Sequence, residues 1–466
     1  MTSENQISIP SMQSWIEENR QRIMDEYFTF LKFQSVSSEP DHHQDIHQCK
    51  DWVVNYLKNM GFEVEIWETP GHPTIFAQKK AEDANQSTLL IYNHYDVQPV
   101  DPIEEWLSPP FEPTIQDAEV YARGAQDNKG QCFYVLQSLR FLIEKTGSLP
   151  INIKLCIEGE EEMGSAGLDA ILNSKSEALN CNYLAIVDTS IRKANQPAVT
   201  LGMRGIVTFD VEIQSAITDM HSGAHGGIVV NPIHALIELL GSLRDSEGKI
   251  TIPGFYDDVV DLSEEQKKTI TLDFDAKEYT SLMGAEPLGG EQKFSPLERA
   301  WLRPTLEING INGGYSGSGF KTVIPAKAIA KLSCRLVPDQ DPEEIGKLVE
   351  DYLKKNVPQG VKINVVIHPG HGKAVRANLS SPVVECFSKA FEEIFKKPCE
   401  YIFGGGSIPI ATRLAEVSKG EVILLGLGLD TDKIHAPNEH FGLDRIEKGI
   451  MIMATAMGLL SKKGLN

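Results

Sequence analysis

Three short apolar runs, each ending in a knot of polar and charged residues, constrain the fold of this chain more than any other feature. Thr88–Tyr92 leads into Asn93-His94-Tyr95-Asp96, Ile151–Ile157 into Glu158-Gly159-Glu160-Glu161-Glu162, and Tyr183–Val187 into Asp188. Runs of this kind suit strands buried on both faces of a parallel or mixed sheet with helices packed over it. The helices are visible too. Ile46, Cys49, Val53, Tyr56, Leu57 and Met60 recur at helical spacing before Gly61, and Phe133, Leu136, Leu139 and Leu142 do the same further on. In open α/β sheets, sites gather beyond the carboxyl ends of the strands. Three polar clusters in that position mark a site.

The pattern changes near residue 205. Val207, Phe209, Val211 and Ile213 alternate with Thr208, Asp210, Glu212 and Gln214, which predicts a strand with one wet face. Ala328–Leu336 and Lys362–Ile367 alternate likewise, with helical patterns at Pro232–Arg244 and Pro342–Tyr352. The stretch 246–305 is rich in Gly, Pro and charge and suggests an insertion or a long loop. The earlier style returns with Pro382–Phe395, Glu421–Leu427 and Leu443–Leu460. The expected architecture is a mixed-sheet α/β domain over 1–204 and 376–466, interrupted by a smaller α+β domain over 205–375.

Composition narrows the function. With 44 Lys+Arg against 65 Asp+Glu the net charge is −21. That disfavours nucleic acid, where affinity comes from basic groups displacing counterions, and equally an anionic membrane surface. No apolar run approaches the roughly 20 residues that span a bilayer. The first residues, MTSENQISIPSMQSW, have neither the basic start nor the apolar stretch of a secretory signal. Seven scattered cysteines without a CxxC pair suggest reduced thiols and a cytoplasmic protein. There is no Walker loop and no GxSxG elbow.

The clusters carry the chemistry. His94 at a strand end suits a divalent metal, and Asp96, two residues on, could accept its other ring N–H; a surface histidine in a turn is the plain alternative. Asp127 in Gly124-Ala125-Gln126-Asp127-Asn128-Lys129-Gly130 stands before a helix, as a cap or as a ligand. The acids of Glu158–Glu162 repel one another when ionised, and a cation would relieve them. Asp188 closes an apolar strand. Ile434-His435-Ala436-Pro437-Asn438-Glu439-His440 offers two candidate histidines. Two histidines, three carboxylates and one spare acid suit two zinc ions sharing a bridging carboxylate.

Taken in order, HYDVQP, GAQDNKG, EEEMGS, the strand ending in Asp188, MHSGAHGG, KTVIPAKA, SCRLVP, GGSIP and IHAPNEH resemble the co-catalytic zinc peptidases of the aminoacylase and carboxypeptidase family. The resemblance runs from about residue 20 to residue 460 and is strongest to the carnosinase-like, cytosolic nonspecific dipeptidase branch. It implies a catalytic domain interrupted by a lid and dimerisation domain. It implies hydrolysis of dipeptides or short peptides with a free C-terminal carboxylate. Two Zn²⁺ per subunit would serve, with Mn²⁺ or Co²⁺ as substitutes: His94 and Asp188 would hold one, Glu162 and His435 the other, and Asp127 would bridge them, its own peptide bond to Asn128 being cis as is typical of the family. Asp96 would orient His94. Glu161 would be the general base acting on a water between the ions. His221 would reach the partner subunit's site in a homodimer and stabilise the oxyanion. Arg335 would clamp the substrate carboxylate, with Thr322 and Ser407 also at the substrate. His225, His368, His371 and His440 would be structural.

Asp188 points within the family. Acyl-removing relatives usually carry Glu there, so Asp favours peptide cleavage over the alternative, an N-acyl-amino-acid amidohydrolase. Two positions depart from the dipeptidase pattern: Phe403-Gly404 stands where Arg-Glu is usual, and Thr189 where Asn is usual.

Overall fold

The computed structural model describes residues 7–83 and 85–463, and it is an α/β protein. The chain forms two compact units: Met1–Gly202 with Arg376–Ile402 and Ile410–Asn466, and Met203–Val375 with Phe403–Pro409.

The middle of the first unit's sheet is four parallel strands in the order Asn152–Glu158, Thr88–His94, Tyr183–Val187 and Glu421–Leu425. All three apolar runs of the sequence lie here, as neighbours. Tyr183–Val187 is buried at every residue and Thr88–His94 at all but its first, which is why both lack alternation. Parallel pairing points the chains the same way, so the polar clusters emerge along one edge. Thr74–Lys79 and Glu63–Trp67 add antiparallel strands on one side.

Helices complete the burial. Lys129–Thr146 starts immediately after the Asp127 turn and packs against Leu443–Leu460. The approach is close because Gly449 has no side chain: a Cβ there would stand 2.4 Å from Cγ of Tyr134. Tyr27, on the helix Ile9–Leu31, donates its hydroxyl to the carbonyl of Ala125 at 2.6 Å, pinning the turn from outside.

The second unit is an antiparallel sheet in the order Thr305–Gly313, Lys327–Leu336, Gly205–Gln214, Lys362–Ile367. Gly205–Gln214 alternates buried and half-buried along its whole length. Val207, Phe209, Val211 and Ile213 join Leu236, Leu239, Ile345 and Val349 of two helices in one core. The helices, Pro232–Gly241 and Pro342–Asn356, each begin with Pro behind a capping side chain, Asn231 and Asp341. The wet face pairs Lys327 with Glu212 and Lys331 with Asp210, both at 2.9 Å. The stretch 246–305 holds three short helices. It is anchored by Arg303, whose buried guanidinium bonds Glu291 at 2.8 Å and Asp261 at 2.6 Å.

Gly449→Ala drives a methyl into the Tyr134 ring. It is expected to lower stability by about 1–3 kcal/mol, read as an earlier denaturant midpoint.

Candidate metal centre

His94 is the last residue of its strand and is fully buried. Its Nδ1–H donates to the carbonyl oxygen of Asp96 at 3.1 Å, with the Asp96 carboxylate at 3.3 Å. That carboxylate has a further use. Its two oxygens accept the backbone N–H groups of Glu161, at 3.2 Å, and Glu162, at 3.1 Å. Asp96 therefore stitches together two strand ends, a role its spacing from His94 does not suggest.

The other ring nitrogen of His94 lies 3.2 Å from Oδ1 of Asp127 and 3.7 Å from Oδ1 of Asp188, yet makes no hydrogen bond. Oδ2 of Asp127 lies 3.0 Å from Nε2 of His435, which is 3.3 Å from Oε2 of Glu162. Two groups thus offer one ligand atom each within 4.8 Å: His94 with Asp127 and Asp188, and Asp127 with Glu162 and His435. Asp127 belongs to both. It caps nothing; the helix cap position is Asn128, whose side chain makes no capping bond. Instead Asn128 Nδ2 donates to Asp188 at 2.7 Å and to the carbonyl of Val187, and its oxygen accepts from Asn93. The Asp127–Asn128 peptide is cis. Gln98, within the HYDVQP motif, donates to Glu162 at 2.8 Å, while Oε1 of Glu162 is buried with no partner. The supporting roles of Gln98, Asn93 and Asn128 escape sequence reasoning, because each lies inside a motif whose other residues attract the attention.

The acids of 158–162 divide into two kinds. Glu158 takes the hydroxyls of Tyr92 and Ser165, and burial pushes its carboxyl up to about 8. Glu160 accepts the backbone N–H groups of His72 and Gly167. Both face inward. Glu161 and Glu162 belong to the site. Burial raises the Glu161 carboxyl well above the usual range, with Asp188, Glu162 and Asp127 adding to the shift and His94 opposing it. Burial and the Asp127 charge raise Glu162 to about 7. Burial also raises Asp188. Burial opposes ionisation of Asp127 too, but the imidazoles of His435 and His94 prevail and hold it low. His435, bonded to Asp127 and Glu162, is pushed up to about 10.

The arrangement fits divalent cations. Two imidazole nitrogens, three carboxylates, an unpartnered buried carboxylate oxygen and an unpartnered ring nitrogen converge where positive charge would relieve them all. A further grouping, Glu119, Asp432 and His440, already contains its cation: Arg445 bonds Asp432 at 2.5 Å and Glu119 at 2.8 Å. His440 stacks on Tyr121 and donates from Nδ1 to the carbonyl of Asn438.

The other expected residues lie in the second unit as two pairs. His221 accepts the backbone N–H of Gly223 on Nδ1 at 3.0 Å, which leaves the proton on Nε2, 3.3 Å from the Thr322 hydroxyl. Arg335 donates from Nη1 to Ser407 Oγ at 2.7 Å, and the Ser407 hydroxyl donates to the carbonyl of Arg204. Arg335 is half-buried on the wetter face of its strand, and burial lowers its pKa with no acid among the described residues offsetting the effect.

Fold and site together define a metal-dependent hydrolase. The model of Peptidase family M20/M25/M40 matches residues 90–458, and the chain belongs to this family of metal-binding peptidases. It is a metallopeptidase. It is similar to the Beta-Ala-His dipeptidase of Homo sapiens, 34% identical over 88% of this chain and 84% of that one. It is similar to the Cys-Gly metallodipeptidase of Schizosaccharomyces pombe, 29% identical over 96% and 98%. Among solved structures, it is similar to an M20 family metallo-carboxypeptidase from Sulfolobus solfataricus, with TM-score 0.85 and 31% identity over 94% of this chain and 99% of that chain.

Cations entering this cluster would displace protons, because His435 is pushed up to about 10 and Glu162 to about 7. Falling pH favours the protons, so affinity must fall with pH. Calorimetric titration with Zn²⁺ in buffers of different ionisation heat is expected to show release of at least one proton. Apparent affinity should drop about tenfold per pH unit per proton released. Proton-neutral binding would contradict the assignment.

Proposed function

We propose that the protein is a dinuclear metallodipeptidase, cleaving the peptide bond of dipeptides or short peptides that carry a free C-terminal carboxylate. The observation that carries this reading is the shared Asp127: one carboxylate faces His94 and Asp188 through one oxygen, and His435 and Glu162 through the other. His94 and Asp188 would hold one ion, Glu162 and His435 the other, with Asp127 shared between them. The pair is Zn²⁺ in this reading, since imidazole and carboxylate in small, low-coordinate sets suit it, with Mn²⁺ or Co²⁺ able to substitute. Such ions supply Lewis acidity: they lower the pKa of water and stabilise negative charge on the substrate oxygen.

The rest is the work of side chains. Glu161 is the general base. Burial, with Asp188, Glu162 and Asp127, raises its carboxyl; positive charge held beside it would favour the ionised form, which would take a proton from the attacking water and return it to the leaving amine. Asp96 fixes the backbone of Glu161 and Glu162 and the ring of His94. His221, with its proton on Nε2, is a hydrogen-bond donor to the oxyanion, supplied to the partner subunit's site in a homodimer formed through the second unit. The second unit is thus the lid. Arg335, held by Ser407 and with no ion pair to an acid among the described residues, takes the substrate carboxylate, and Thr322 is a further substrate contact. Seven unpaired thiols fit a reducing, cytoplasmic setting. No helix among the described residues is long and apolar enough to cross a membrane.

Peptide cleavage is favoured over removal of N-acyl groups by Asp188 and by the dipeptidase relatives. A panel of dipeptides against acetyl- and succinyl-amino acids separates the two; a preference for the acyl panel would sink the proposal. Glu161→Gln is expected to lower kcat by about 10²–10⁴-fold with bound metal unchanged. Arg335→Met is expected to cost about 10–100-fold in kcat/KM on dipeptides, the loss of hydrogen bonds to a charged group, and much less on substrates amidated at the C-terminus.

A further inference from the structure

Glu439 is fully buried in the first unit, and four donors converge on it. Oε1 accepts the backbone N–H groups of Gln126, at 2.9 Å, and Asp127, at 3.0 Å. Oε2 accepts the backbone N–H of Gly124 at 2.9 Å and Nη1 of Arg123 at 2.7 Å. The turn Arg123–Asp127 is therefore wrapped around one carboxylate. Arg123 is itself buried, donates its other arm to the carbonyl of Pro99 and lies over the Trp106 ring. Only an ionised carboxylate meets this demand, because it has two oxygens with two lone pairs each and no proton to misplace. An amide of the same shape would turn an NH₂ toward one pair of donors, either the N–H groups of Gln126 and Asp127 or those of Gly124 and Arg123.

Glu439 also belongs to the segment that carries His435. The backbone around it is fixed on its own account: its carbonyl accepts the N–H of Ala122, and the Asn438 side chain bonds Leu107 and Glu105. One residue thus fixes the loop bearing Asp127 against the loop bearing His435, whose side chains meet at 3.0 Å.

We infer that Glu439, with Arg123, is a positioning residue for the dinuclear centre, setting the bridging Asp127 against His435. The inference rests on the reading of the centre given above. Asp127 serves both ions but His435 only one, so loss of Glu439 weakens the ion held with His435 more than the ion held with Asp188. The test is calorimetric and competition titration of wild-type protein and E439Q with Zn²⁺, on samples shown folded by circular dichroism. Wild type is expected to bind two Zn²⁺. E439Q is expected to lose about 10–100-fold in affinity for one of them, the usual effect of removing a residue that orients a ligand. E439D keeps the charge but is too short to reach all four donors, and should fall between. A purely structural role predicts a lower Tm with both affinities unchanged. That result in folded E439Q, or in E439D if E439Q does not fold, would overturn the inference. Wild type binding fewer than two ions would instead overturn the dinuclear reading and this inference with it.

Discussion

The mutual repulsion of buried carboxylates at one edge of the parallel sheet is the constraint around which the first unit is arranged. Asp127, Glu161, Glu162 and Asp188 stand within reach of one another and of only two imidazoles. The crowding shows in the acids and in their partner: Glu161, Glu162 and Asp188 are raised by burial, and His435 is raised by Asp127 and Glu162. Protons are a poor match for it. Nε2 of His94 and Oε1 of Glu162 are buried without a hydrogen-bond partner. A pair of divalent ions answers all of these demands, and that is the sense in which the scaffold is built for metal.

Parallel topology makes the crowding possible. The strands ending at His94, Glu158 and Val187 are adjacent and co-directional, so residues from three distant stretches of chain arrive side by side. Asp127 comes from the turn that leads into the helix Lys129–Thr146, and the fixing of that turn is shared among Tyr27, Glu439 and Arg123. The net charge of −21 is mostly ordinary surface. In the proposed reading the few acids collected here are the part of it that does chemistry, and two bound ions would make the protein about four units less negative than its sequence.

Much of this is legible in the sequence, and what is not has identifiable causes. The buried strands announce themselves because a strand covered on both faces has no polar position to keep. The alternation of Val207–Ile213 shows one covered face, and the structure bears it out residue by residue. Within Glu158–Glu162, however, sequence cannot separate the acids: Glu160 is spent on the backbone of His72 and Gly167, and only tertiary packing reveals it. His435 and His440 look equivalent until His440 is seen stacked on Tyr121 with its Nδ1–H taken by a carbonyl. Asp96 reads as a partner for His94, but its carboxylate chiefly holds the backbone of the next strand end. Glu439 gives no local signal at all, since its partners lie more than three hundred residues away in the chain.

The most direct test of the account is dipeptide hydrolysis by metal-free protein as Zn²⁺ is added in measured equivalents. The account predicts negligible activity without metal and a rise that is complete only at two equivalents per chain. Full activity in the metal-free protein, or a plateau reached at one equivalent, would contradict it.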